Sequence, residues 1–206
     1  MAYDFVKWNF IIYMLGRLGF CDKWILWIKS CLEPASVSIL VNRSPTKKFY
    51  PLKGLRQGDP LTPFLFLIVV EGLTEVSRKT YELDVVEILE IGNKKVRFNM
   101  LKYAYDTLFF GHANSKSVVN YKAMLNFFEL TSGLKVNFLK SNIGGVGVES
   151  FTIWGFVAIL NYEVMKVPFK YLGMPVGGVT GGKRSGMVWL IELIPDWEDG
   201  NVEISL

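Results

Sequence analysis

The sequence predicts an α+β fold with a largely antiparallel sheet. Helical and strand-like segments interleave along the chain without the regular spacing of βαβ units. The strand-like segments come in close pairs around turns, Val37–Val41 with Thr46–Tyr50 and Val85–Glu90 with Val96–Leu101. Because strands joined by a short turn pair in the antiparallel sense, these pairs predict hairpins.

Apolar residues at three- and four-residue spacing predict the helices. The predicted helices cover approximately residues 8–18, 22–32, 60–80 and 115–132. Asp22 and Asp59 are predicted to cap the second and third helices, and Gly19 and Gly133 to end the first and fourth. The first half of the third helix is apolar on all sides, which predicts a buried helix.

Two further segments and four aromatic residues complete the prediction. Leu134–Phe138 is a predicted short strand, and residues 150–165 are compatible with either helix or strand. Four phenylalanines are predicted to belong to the core and not to a base-stacking surface: Phe109, Phe110, Phe127 and Phe128.

Composition indicates a globular chain and argues against a membrane span. Of 206 residues, 50% are apolar and 20% charged, which excludes a disordered composition. The longest apolar run, Pro63–Val70, is closed by Glu71 and is far shorter than the ~20 residues that a span needs. No membrane partner is therefore expected.

The cysteines and the histidine exclude two kinds of site. Cys21 and Cys31 suit buried free thiols in a reducing, intracellular compartment better than a disulfide scaffold. His112 is the only histidine, so the chain lacks the donors for a zinc site of the usual ligand count.

Charge is unevenly distributed. All 23 Lys and Arg lie in residues 1–191, whereas five of the 19 acids lie in residues 192–206. The segment Pro34–Gly58 contains no acid but five bases: Arg43, Lys47, Lys48, Lys53 and Arg56. A nucleic-acid surface and a solvated hairpin face explain these bases equally well.

Five motifs follow one another along the chain. They are Ala2–Asp4 (AYD), Gly54–Pro60 (GLRQGDP, the glycine loop), Tyr103–Asp106 (YAYD), Ser132–Asn137 (SGLKVN) and Phe169–Gly173 (FKYLG). In this order they resemble the palm motifs of reverse transcriptases from LINE-type (non-LTR) retrotransposons, most closely plant copies. The chain is identified by this resemblance as a truncated, degenerate member of that family.

The resemblance implies a right-hand polymerase palm with part of the fingers over residues 1–178. Residues 179–206 are then a divergent acidic tail. RNA template and DNA primer are the implied partners, and the nucleus is a location that the family allows. Further fingers and thumb segments would be needed for a complete enzyme.

The resemblance also assigns roles to individual residues. Nucleotide and template contacts fall on Tyr3, Gly54, Arg56, Gln57, Gly58, Lys135 and Lys140. The primer grip falls on Tyr171, Leu172 and Gly173.

The same resemblance predicts that catalysis is lost. Active relatives hold two Mg²⁺ ions on three aspartates, one in the first motif and two at the third-motif hairpin. Here Tyr105 stands where the first of the paired aspartates belongs, and Asp106 is the residual metal ligand. The first-motif aspartate would lie five residues before the position of Asp4, ahead of Met1. Mg²⁺ binding is therefore not expected.

Other interpretations stay open. Asp106 could be an ordinary turn aspartate. The chain could be a non-catalytic nucleic-acid-binding remnant, or the non-functional product of a decayed element.

Overall fold

The computed structural model describes two compact units of the chain. The described residues are 2–33, 36, 38–87, 89–91, 96–103, 106–137, 141–166, 168–171, 173–176 and 186–192. The first unit contains described residues up to 74 together with 128–134. The second contains those of 75–127 and 135–192.

Five helices and eleven strands make up the described part of the chain. A 3-10 turn (Ala2–Phe5) precedes the helices α1 (Trp8–Arg17), α2 (Asp22–Leu32), α3 (Thr62–Glu82), α4 (Ser115–Ser132) and α5 (Ser150–Leu160). The strands are β1 (Leu40–Val41), β2 (Ser44–Pro45), β3 (Leu89–Ile91), β4 (Val96–Phe98), β5 (Met100–Tyr103), β6 (Asp106–Gly111), β7 (Asn142–Val146), β8 (Glu163–Val164), β9 (Phe169–Tyr171), β10 (Met174–Val176) and β11 (Gly186–Glu192).

The largest sheet has five strands in the order β5-β6-β11-β7-β8. Its pairs are antiparallel except β7 with β8, which is parallel. Three two-stranded hairpins, β1–β2, β3–β4 and β9–β10, lie outside it. The predicted α+β class with a mainly antiparallel sheet is confirmed. No helix in the described ranges is both long and apolar enough to cross a membrane.

The core of the first unit forms where α1 meets neighbouring helical segments. The Phe10 ring packs edge-on against Phe128, with ring centroids 6.0 Å apart. Gly72 of α3 leaves room for Phe10, since a Cβ there would lie 2.6 Å from the Phe10 ring. Met14 and Leu15 extend the buried face of α1. Burial of this apolar face provides most of the stabilisation of a short helix.

The core of the second unit lies on β6. Phe109 is fully buried, and its ring lies 5.4 Å from that of Tyr121 on α4. The Tyr121 hydroxyl donates to the Phe110 carbonyl oxygen at 3.0 Å and lies 2.7 Å from the Tyr81 hydroxyl. Burial, followed by the neighbouring Tyr81, raises the pKa of Tyr121 above its ordinary value, so this hydroxyl stays protonated and bonded.

Several local predictions about the helices were wrong. The residue that precedes α2 is Cys21, which makes no side-chain capping bond, so Asp22 is the first helical residue and not the cap. Cys21 and Cys31 are free, as predicted, but exposed and not buried. The third helix is not buried on all sides, because Phe64 and Leu67 are 40% and 62% exposed.

Strand predictions failed mainly at turns. Asn42 and Arg43 both adopt positive φ, 50° and 63°, which makes a two-residue hairpin turn that returns the chain at Ser44. The returning strand is therefore Ser44–Pro45 and not Thr46–Tyr50. Val37 lies outside the described residues.

Longer predicted strands are interrupted. The predicted strand Val96–Leu101 divides at Asn99, whose carbonyl oxygen accepts a bond from the Phe110 N–H at 2.8 Å. The strand predicted from Val85 begins only at Leu89. Residues 134–137 form no extended strand, and Phe138 lies outside the described residues. Residues 150–165, which the sequence left open, form α5 and then β8.

Candidate active site

Main-chain hydrogen bonds fix the start of the glycine loop to the 3-10 turn. The Gly54 N–H donates to the Val6 carbonyl oxygen at 2.8 Å, and the Leu55 N–H donates to that of Tyr3 at 2.7 Å. The Trp8 indole N–H donates to the Gly54 carbonyl oxygen at 2.6 Å. The first and second motifs are therefore one structural unit.

Gly54 is required for this close approach. Its φ is +96°, and a Cβ at this position would lie 3.1 Å from the Asp4 carbonyl oxygen. Any other residue would have to tolerate a left-handed backbone and a crowded main-chain oxygen together. The second loop glycine, Gly58, also has positive φ (+85°) but has open space around it.

The far end of the glycine loop is fixed to the start of α3. The Thr62 hydroxyl donates to the Arg56 carbonyl oxygen at 2.6 Å, and the Asp59 N–H donates to the same oxygen at 3.2 Å. The Asp59 carboxylate accepts a bond from the Leu61 N–H at 2.8 Å. Asp59 therefore orders the turn that leads into α3, close to the capping role predicted for it.

The rim of the glycine loop faces solvent. Arg56–Gly58 are exposed, whereas Tyr3 is half-buried with its ring edge-on to Phe66 at 5.2 Å. A guanidinium and a carboxamide thus lie at the N-terminal end of a 21-residue helix, where the helix dipole favours anions. The structure brings together Tyr3, Gly54 and Arg56–Gly58, all named from the sequence.

The start of the fourth motif packs on the other side of the same turn. The Lys7 N–H donates to the Ser132 carbonyl oxygen at 2.8 Å, and the Lys7 ammonium donates to that of Leu130 at 2.6 Å. Gly133 has φ +84°, and a Cβ there would lie 2.1 Å from the Phe5 carbonyl oxygen. The second and fourth motifs therefore both contact the turn Ala2–Phe5, which carries the first motif, within the first unit.

The third motif forms a β-hairpin in the second unit. Tyr103 on β5 pairs with Asp106 on β6, the last of four antiparallel pairs between these two strands. Tyr105 lies outside the described residues. Asp106 is half-buried, and the strand that follows it is buried throughout.

Tyr171, to which the resemblance assigned a primer-grip role, contacts this hairpin. The Tyr171 hydroxyl on β9 donates to the Asp106 carbonyl oxygen at 3.4 Å. Burial, and secondarily the charge of Asp106, raise the pKa of Tyr171 and keep the hydroxyl a donor at neutral pH. Gly173 follows with φ +81°, which suits the turn between β9 and β10. Leu172 lies outside the described residues.

The lysines and acids that the sequence named as site residues lie only partly within the described residues. Lys135 is exposed in the second unit, and Lys140 lies outside the described residues. Among the described residues, no three Asp, Glu, His or Cys side chains lie close enough together to hold a metal ion. Of the third-motif residues that the structure describes, Tyr103 and Asp106, Asp106 carries a carboxylate of the kind that a two-ion site uses.

Sequence reasoning missed the residues that hold the loop in place. Trp8, Thr62 and Phe66 each bond to or pack against a site residue, but none was assigned a role. Trp8 lies four residues after Asp4, which is a possible local signal. The contacts of Thr62 and Phe66 depend on tertiary packing that no sequence spacing reveals.

Comparison with known proteins gives consistent matches. A family model described as reverse transcriptase (RNA-dependent DNA polymerase) matches residues 1–176. The chain is 37% identical over 68 residues to an uncharacterized mitochondrial protein of Arabidopsis thaliana, covering 33% of this chain and 56% of that protein.

Two further relatives come from Popillia japonica. Both are retrovirus-related Pol polyproteins from the type-1 retrotransposable element R2. One is 30% identical over 141 residues, covering 68% of this chain and 19% of the polyprotein. The other is 36% identical over 72 residues, covering 35% and 12%. The chain spans between 12% and 56% of the length of these relatives.

Proposed function

The chain belongs to the reverse transcriptase (RNA-dependent DNA polymerase) family, and from this premise we propose that it is a palm with part of the fingers that keeps a nucleic-acid surface but does not catalyse. It represents the reverse transcriptase domain of a retrotransposon. Members of this family bind an RNA template and a DNA primer, and they use a divalent metal ion.

The anchoring of the glycine loop supports the proposal that a nucleic-acid-binding surface is retained. Its start is bonded to the turn that carries Tyr3, and its end is bonded to Thr62 of α3. The exposed Arg56 and Gln57 between these anchors offer N–H donors of the kind that contact phosphates and bases. A rigid loop loses little conformational entropy when it binds, which favours binding.

Tyr105 is the observation that carries the loss of catalysis. A phenol with an ordinary pKa near ~10 is neutral at pH 7 and cannot replace a carboxylate as a ligand of hard ions. In active relatives the metal ions would be held by the paired third-motif acids and the first-motif acid, and would stabilise the charge of the transferring phosphoryl group. With Tyr105 at the first of the paired positions, Asp106 provides only one of the two third-motif carboxylates, so we expect no template-directed primer extension by this chain.

Binding of nucleic acid should depend on Arg56 in particular. We expect Arg56→Ala to weaken binding of an RNA–DNA hybrid several-fold and to lower the slope of log affinity against log salt by about 1, because one phosphate contact is lost. Fluorescence anisotropy at several salt concentrations measures both quantities.

The matched control is Arg97→Ala. Arg97 is an exposed arginine on β4 whose side chain lies 3.9 Å from Glu90, and its removal changes net charge by the same amount. We expect the affinity of the Arg97→Ala variant for the RNA–DNA hybrid to stay close to that of the unchanged chain. Equal losses in the two variants would mean that net charge alone explains binding. No binding by the unchanged chain would support the inert product of a decayed element.

A further inference from the structure

The five-stranded sheet has a gap that a distant segment fills. β6 and β7 are both antiparallel to β11, so they run parallel to one another with one strand between them. α4 connects β6 to β7 along the chain. This is a split βαβ arrangement, in which a strand from elsewhere in sequence occupies the gap. Without that strand the sheet would separate into β5–β6 and β7–β8.

The strand in the gap comes from outside the family match. The match covers residues 1–176, which include β5, β6, β7 and β8, whereas β11 begins at Gly186. Between Gly186 and Glu192 the sequence is apolar at five consecutive positions, MVWLI. Such a run is typical of a strand at the centre of a sheet with both faces covered. The family match therefore does not account for the centre of this sheet.

Both neighbours of the gap depend on β11 for most of their pairing. β7 pairs with β11 at five positions but with β8 at only two. Gly144 and Gly145 give β7 little strand preference of its own. Gly145 cannot easily be replaced by a larger residue, since a Cβ there would lie 2.8 Å from the Val148 Cβ. On the other side, β6 pairs with β11 at six positions and with β5 at four.

We propose that the gap between β6 and β7 is a strand-binding site and that its occupant is the chain's own segment Gly186–Glu192. Main-chain hydrogen bonds to both neighbours provide the affinity, as when a strand is added to a sheet edge, but here two edges are satisfied at once. The register places Glu192 opposite Asp106, the first residue of β6. The strand in the gap therefore also anchors the hairpin that carries Asp106.

Disulfide trapping tests the occupant and its register. In a chain with Cys21→Ser and Cys31→Ser, the pair Asn142→Cys and Leu190→Cys joins direct register partners. We expect this pair to oxidise within one monomer. The matched control combines Asn142→Cys with Val188→Cys, two residues out of register and roughly 7–8 Å apart. That separation exceeds the reach of a disulfide.

Three outcomes of the trapping experiment are informative. A monomeric cross-link in the register pair alone supports the proposal. A disulfide-linked dimer would show that a second copy supplies the strand and would overturn the proposal. Equal cross-linking of the control pair, or no cross-linking of the register pair, would also overturn it.

A proline substitution tests dependence of the sheet on β11. Val188 pairs with Phe110 on one side and Gly144 on the other, and Val188→Pro removes its N–H from this central strand. We expect hydrogen-exchange protection of β6 and β7 amides to fall by more than about tenfold, because their ladder partner is lost. Unchanged protection would contradict the proposal.

The control places proline on the edge strand β8. The Glu163 N–H donates to Ser141, just before β7, and the Met165 N–H donates to Ile143 on β7, so the N–H of Val164 between them points away from β7. Val164→Pro should therefore leave protection of β6 and β7 nearly unchanged. If Val188→Pro also removes protection of α1 in the first unit, the variant has unfolded generally, and disulfide trapping decides the question.

Discussion

Gly133→Ala is expected to destabilise the chain by about 3 kcal/mol or more. A left-handed backbone costs a non-glycine residue about 1–2 kcal/mol. The added Cβ would also lie 2.1 Å from the Phe5 carbonyl oxygen, a main-chain atom that can move only with the whole turn. Displacing Phe5 would disturb the neighbouring Tyr3, whose carbonyl oxygen holds the glycine loop through Leu55. Urea unfolding followed by circular dichroism measures the loss.

Gly19→Ala separates the two causes. Gly19 has nearly the same backbone conformation, φ +83°, but no atom lies within 4 Å of an added Cβ. Its substitution should therefore cost only the backbone term, about 1–2 kcal/mol. The two variants should also differ in nucleic-acid binding at low denaturant, with Gly19→Ala unaffected. Equal stability losses in both would contradict the close packing of Gly133 on the turn.

Phe128→Ala is expected to cost about 3–5 kcal/mol, since it removes a fully buried ring and leaves a cavity. The ring packs edge-on against Phe10 of α1. Aromatic pairs of this geometry add stabilisation beyond the area they bury. The measurement is again the free energy of unfolding in urea.

The adjacent Phe127 provides the control. The sequence predicted both residues to be core, but Phe127 is 55% exposed. Phe127→Ala should therefore change stability by less than about 1 kcal/mol. A cost for Phe127→Ala that equals or exceeds that for Phe128→Ala would mean that α4 presents a different face to the core.

The sequence predicted the helices well because their signals are local. Apolar spacing located α1, α2 and α4, and Gly19 and Gly133 end their helices with positive φ, as expected. The third-motif hairpin, which the resemblance implied, is present, with Tyr103 paired to Asp106. These features depend on residues close together in the chain.

Features that depend on distant contacts could not be predicted. The turn at Asn42-Arg43 gives no glycine signal, so the returning strand was predicted to start at Thr46 and not at Ser44. Tertiary packing decides which apolar residues of α3 and α4 are buried, and periodicity alone does not specify this. Leu67 and Phe127 are apolar but exposed. The place of Gly186–Glu192 at the centre of the sheet depends on pairing across about 80 residues.

In the candidate site, too, the residues within motifs could be named from the sequence, whereas residues that act through tertiary contacts could not. Motif order identified Tyr3, Gly54 and Arg56–Gly58, and the structure joins them in one unit. Thr62, which holds the end of the loop through the Arg56 carbonyl oxygen, carries no sequence signal that names it. Lys135 belongs to the second unit, and its assigned role stays a prediction.

Primer extension on a heteropolymeric RNA template with Mg²⁺ or Mn²⁺ tests the central claim most directly. The chain itself is expected to add no nucleotides above a control without template. Template-dependent extension by this chain, abolished by Asp106→Asn, would show that a working metal site forms and would contradict the loss of catalysis.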